Sequence, residues 1–186
     1  MILIRKISLF LLLAMLSTIA FAQKNKLPEE PTLPIDERTN LVTYQDVVNE
    51  QGTPQELYDR AMRWVKEFYK NTAEVVKKSD RDAAVIEMRS SVRIYGTQKD
   101  GSLHFRNIVY YNFKLECRNN RYRYTITDFN EKATSAAPIE VWFDTKNPKW
   151  EPAHYAYLNQ IDEQIRALIE NLEEGMQPKE EVKDEW

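Results

Sequence analysis

Between residues 84 and 94 apolar and polar side chains alternate: Ala84, Ile86, Met88, Val92 and Ile94 against Glu87, Arg89, Ser91 and Arg93. A period of two predicts a long strand with one apolar face. Asp100-Gly101 then marks a two-residue hairpin turn. Folding about it places Val92 opposite Val109, Ile94 opposite Asn107 and Gly96 opposite Phe105, so the apolar faces coincide. On the other face Arg93 meets Ile108, Tyr95 meets Arg106 and Thr97 meets His104.

A second hairpin follows in "ECRNNRYRYTITDF", Glu116 to Phe129. Asn119 and Asn120 both tolerate the positive φ that a tight turn needs. Turning there pairs Cys117 with Tyr122, Leu115 with Tyr124 and Phe113 with Ile126 on the apolar face. Arg118 then meets Arg121, Glu116 meets Arg123, Lys114 meets Thr125, Asn112 meets Thr127 and Tyr110 meets Phe129 on the polar face. The close mixture of arginine and tyrosine is thus the two faces of one strand seen in turn. It is not a base-stacking platform.

The period changes twice to that of a helix. Thr53 with Glu56 three residues on is a capping box, and Pro54 suits the first helical position. Leu57, Ala61, Trp64, Val65 and Phe68 then recur at helical spacing, which predicts a one-faced helix to about Asn71. Trp150 and Pro152 introduce a second helix, striped by Leu158, Ile161, Ile165, Leu168 and Leu172 and ending at Gly175. Before the first helix "LVTYQDVV", Leu41 to Val48, reads as a strand, and Pro138 to Asp144 reads as a short edge strand. One apolar sheet face and two one-faced helices make an α+β fold: an antiparallel sheet of about four or five strands packed on two helices as a two-layer sandwich.

The N-terminus bears on compartment. Arg5 and Lys6 precede an apolar run from Ile7 to Ile19, and Ala20-Phe21-Ala22 supplies a cleavage signature before Gln23. This predicts a secretory signal over 1–22, cleaved between Ala22 and Gln23. No cysteine follows the apolar run, so no lipid anchor is expected, and no second apolar segment is long enough to span a membrane. The expected product is a soluble periplasmic or extracellular protein. It has a flexible leader at 23–40, one domain at 41–175 and a charged, disordered tail at 176–186. The full chain carries a net charge of −3, and losing the basic signal makes it more acidic. An acidic exported chain is a poor nucleic-acid binder, because that affinity begins with phosphate neutralisation.

Candidate chemistry is sparse. One cysteine excludes an intramolecular disulfide, and two histidines with one cysteine cannot build a Cys/His zinc site, so no metal and no cofactor is expected. Cys117 faces the core, Asp80 and Asp82 are too close-set for a calcium loop, and neither His104 nor His154 has a partner spaced for a triad or dyad. His154 sits in a first helical turn, where the dipole disfavours its charged form. Arg118, Arg121 and Arg123 could form an anion site; the favoured expectation is that Arg123 pairs with Glu116 across the strands, leaving Arg118 and Arg121 to splay into solvent. The remaining candidate is the polar sheet face, where Arg93, Tyr95, Ile108, Tyr110 and Phe129 form an aromatic and apolar cluster beside a cation. The alternative is that residues 132–152, with Trp142 and Phe143, fold over that face.

Three segments in this order, "LVTYQDVV", "TPQELYDRAMRWVKEFY" and "RNNRYRYTITDF", resemble DUF4468, a bacterial domain family of unknown function with a TBP-like fold. The resemblance covers roughly Asn40 to Asn130 and implies a curved antiparallel sheet backed by helices. It implies no activity, cofactor or catalytic residue. Sharing a fold with a DNA-binding protein does not imply DNA binding. The leading expectation is a non-enzymatic module that binds a small molecule or an envelope protein. A small envelope hydrolase and a structural assembly module are the alternatives.

Overall fold

The computed structural model describes residues 28–178. The predicted signal, its cleavage point at Ala22 and Gln23, the start of the leader and most of the tail lie outside the described residues. The unit beginning at Pro31 contains β1 (Tyr44–Asn49), α1 (Pro54–Phe68), the single turn α2 (Thr72–Val75), β2 (Val76–Asp80), β3 (Val85–Thr97), β4 (Leu103–Arg118), β5 (Arg121–Glu131), a one-turn 3-10 helix (Ile139–Trp142) and α3 (Ala153–Met176). The strands form one antiparallel sheet in the order β1-β5-β4-β3-β2. The fold is α+β.

Local signals account for the start of α1. The Thr53 side chain accepts from the Glu56 N–H while the Glu56 carboxylate accepts from the Thr53 N–H at 2.7 Å. The helix stops at Phe68, short of Asn71, because Tyr69 turns extended and sets its ring edge-on to Trp64. The second hairpin has the expected register from Cys117–Tyr122 to Asn112–Thr127. Both long helices lie on the apolar side: Trp64 of α1 meets the ring of Phe113, and the Tyr44 hydroxyl donates to Asp162 of α3 at 2.8 Å.

Two β-bulges alter the face assignments. In β5 Asp128 adopts φ 60°, and the pairing jumps from Asn112–Thr127 to Tyr110–Asn130. The extra residue turns Phe129 to the apolar side. There it is 0% exposed and packs against Tyr44 and Tyr111. Asn112 and Asn130 each donate to the Asp128 carboxylate at 2.8 Å and hold the bulge. In β4 the pairing jumps from Ile94–Asn107 to Tyr95–Phe105. Arg106 is the extra residue, so Tyr95 meets Phe105 instead of Arg106, and His104 meets Gly96 instead of Thr97. A Cβ on Gly96 would stand 2.5 Å from the His104 ring, so glycine is required for the two to lie together.

Three other expectations are corrected, and one strand, β2, is an addition. Residues 31–40 are not a flexible leader: Leu33 is buried, Ile35 bridges Val42, and Asp36 accepts from the N–H groups of Arg38 and Thr39. β2 was not expected, because "VKKSD" shows no alternation. Pro138 to Asp144 is no strand beyond a single bridge from Pro138 to Asn130. A 3-10 turn aligns residues three apart, and this buries Ile139 and Trp142 together, which a strand would set on opposite faces. Gly175 does not stop α3, which continues through it to Met176.

Candidate binding face

The side of the sheet away from the helices carries alternate residues of β3, β4 and β5. Four of the five expected residues lie there: Arg93 opposite Ile108, Tyr95 opposite Phe105, and Tyr110 opposite Asn130. Phe129 does not, for the reason given above. Arg93 is exposed, while Tyr95, Ile108 and Tyr110 are half-buried by their neighbours.

The bulge at Arg106 brings in residues that the regular register had placed elsewhere. Phe105 faces out, 55% exposed, with its ring edge-on to Tyr95 at 6.3 Å, and Leu103 beside it is 68% exposed. Arg89 sets its guanidinium over the Tyr110 ring at 5.4 Å. Such a contact contributes about 0.5–1 kcal/mol at an exposed site. Arg89 was within reach of sequence reasoning, since it lies on the same face and next-but-one to Ser91, the partner of Tyr110. Phe105 was not, because nothing local marks Arg106 as an extra residue.

Trp142 and Trp150 turn to the helical layer: Trp142 stacks flat on His154 of α3 at 5.3 Å, and the Trp150 indole donates to the Trp142 carbonyl at 2.8 Å and meets the Tyr155 ring edge-on.

At the far end of the same face, Arg118, Arg121 and Arg123 line a hollow of about 250 Å³ with Val47, Glu116 and Tyr122. Glu116 accepts from Arg123 at 3.0 and 2.5 Å and lies 3.2 Å from the Lys114 ammonium. Partial burial pushes the Glu116 carboxyl up, but Arg123 and Lys114 outweigh it and hold the group below its usual range.

The possible reactive groups are placed as follows. Cys117 is buried, and burial pushes its thiol up to about 12. His154 is held below the usual histidine value first by burial, with Arg106 acting in the same direction and Glu151 and Glu131 opposing. Its Nδ1 accepts from the Glu151 N–H at 3.2 Å, which leaves the proton on Nε2, 3.9 Å from the Glu151 carboxylate. Among the described residues no group of three or more His, Cys, Asp or Glu side chains could hold a metal, and no helix is long and apolar enough to cross a membrane.

Residues 44–132 match the family described as a domain of unknown function (DUF4468) with TBP-like fold. A TBP-like protein from Parabacteroides distasonis superposes with a TM-score of 0.63 at 16% identity, covering 79% of this chain and 98% of that one. A DUF4468 family protein from Bacteroides ovatus gives 0.61 at 14% identity, with 80% and 92% covered. At such identities the likeness concerns the fold alone. No curated protein matches the chain by sequence.

Proposed function

On a chain whose residues 44–132 carry the DUF4468 domain, we propose that the open sheet face is the working surface of an exported, non-enzymatic binding module. Its partner is a small molecule or an envelope protein. One observation carries the reading: Leu103 and Phe105 stand 68% and 55% exposed, beside Tyr95, Ile108 and Tyr110 and the cations Arg89 and Arg93. Water gains nothing from this cluster, whereas a partner that covers it removes apolar surface from water at roughly 25 cal/mol per Å². The basic n-region, apolar run and Ala20-Phe21-Ala22 of the N-terminus support export.

The test places a photo-crosslinking residue at Phe105 or, as a control on the helical layer, at Glu163. Protein is made in cells with the complete N-terminus. Adducts at position 105 and not at 163 are expected, together with a mature chain that starts at Gln23. Equal labelling at both positions overturns the binding face, and an intact N-terminus overturns export.

A further inference from the structure

The hollow at the β4–β5 turn carries an inference separate from the aromatic cluster. Arg118 and Arg121 are direct cross-strand partners on one face. Opposed side chains on a strand pair have Cβ atoms only about 5 Å apart, and like charges there repel. Arg123 lines the same hollow, and the one carboxylate present, Glu116, is already engaged on both oxygens by Arg123 and Lys114. Among the described residues neither Arg118 nor Arg121 has a carboxylate within ion-pair distance. A chain of net charge −3 thus gathers three guanidinium groups at one hollow and leaves two of them uncompensated.

We propose that this hollow binds a doubly charged oxyanion, the phosphate group of a monoester. Guanidinium forks donate paired N–H groups to such oxygens, and an anion held between Arg118 and Arg121 replaces their mutual repulsion with attraction to both. Val47, about half exposed on the rim, offers apolar surface to the organic part of the ester. The turn fixes the two arginines together. Asn120 sits at φ 56°, donates its N–H to the Gly52 carbonyl at 2.9 Å and accepts from the Gly52 N–H at 3.2 Å, which locks the turn to the segment entering α1. The group could belong to a soluble ester or to a lipid headgroup, and the two share the recognition chemistry.

The test titrates the domain with inorganic phosphate, sulfate and glycerol phosphate at constant ionic strength set with chloride, following heat of binding and thermal midpoint. Saturable binding is expected, weakened at least tenfold in R118Q/R121Q. That variant, free of anion, should melt no lower than wild type, because it loses a repulsion and no partner. R89Q/R93Q should bind the anions normally, since those arginines belong to the aromatic half of the face. Its loss of crosslinking at position 105 with anion binding intact would separate failure of one idea from failure of the other. Vesicles with and without phosphatidic acid, whose headgroup is a phosphate monoester, identify the source: binding to the anionic vesicles that phosphate displaces points to a headgroup, and binding of glycerol phosphate alone points to a soluble ester. Anion titrations indistinguishable from chloride, or equal in wild type and R118Q/R121Q, overturn the proposal.

Discussion

Gly175 lies directly beneath the indole of Trp64: a Cβ on the glycine would stand 2.4 Å from Cδ1 and 2.9 Å from Cγ of the ring. The glycine thus lets α3 pack directly on a side chain of α1, and the Trp64 indole also donates to Asn171 at 2.8 Å. Helix propensity alone makes Gly175→Ala stabilising by about 1 kcal/mol. Packing reverses the sign, because overfilling a tight contact costs roughly 1–3 kcal/mol. Urea unfolding should show Gly175→Ala to be less stable than wild type. In a Trp64→Ala background the same change should become neutral or favourable. A stabilised single variant would contradict the contact.

Phe129 and Tyr110 separate the two sides of the bulged sheet. Phe129 is 0% exposed, whereas Tyr110 is only half-buried. Phe129→Ala should cost roughly 3–5 kcal/mol, the usual range for a buried phenylalanine. Tyr110→Ser should cost much less, since it loses mainly the contact with Arg89. Denaturant midpoints of the two variants decide the matter; equal losses would place Tyr110 in the core.

Gln160 substitutes for a missing strand. β2 pairs only with Val85–Met88, so the edge of β3 beyond Met88 has no strand neighbour. The Gln160 amide accepts from the Tyr95 N–H and donates to the Tyr95 carbonyl, both at 2.9 Å, and Gln164 donates to the Arg93 carbonyl at 3.0 Å. An open edge invites pairing with another chain. Gln160→Leu with Gln164→Leu should cost about 0.5–1.5 kcal/mol per lost bond and raise concentration-dependent light scattering. Scattering unchanged up to high concentration would show that the glutamines do not guard the edge.

His154 sets a pH dependence. Its folded value lies below the ordinary 6.5, chiefly through burial against Trp142. The unfolded chain therefore binds the proton more tightly. The stability is full above pH 6.5, falls as the pH drops below it, and levels off beneath the folded value. Glu151 and Glu131 oppose the shift and Arg106 favours it. His154→Phe keeps a flat ring against Trp142 and removes the titration. Melting midpoints measured across this window should slope in the wild type and flatten in the variant; parallel curves would assign the slope to other groups.

The amino-acid sequence by itself determined the features that depend on near neighbours. Thr53 and Glu56 satisfy each other within one turn, so the start of α1 was legible. The alternation in β3, β4 and β5 and the Asn119-Asn120 turn settled the register from Cys117–Tyr122 to Asn112–Thr127, because a slip of one residue would expose the tyrosines. From these followed the outward positions of Arg93, Tyr95, Ile108 and Tyr110. Only the tertiary structure decided where the alternation breaks. Asp128 takes a strained left-handed conformation because doing so buries Phe129 among Tyr44 and Tyr111, side chains distant in sequence. The Arg106 bulge turns His104 over Gly96 and sends Phe105 outward. Gly175 is the plainest case. Glycine near a helix end reads as a stop, since the local chain offers no other reason for it; the reason is the Trp64 indole, over a hundred residues away in sequence, which leaves no room for a Cβ.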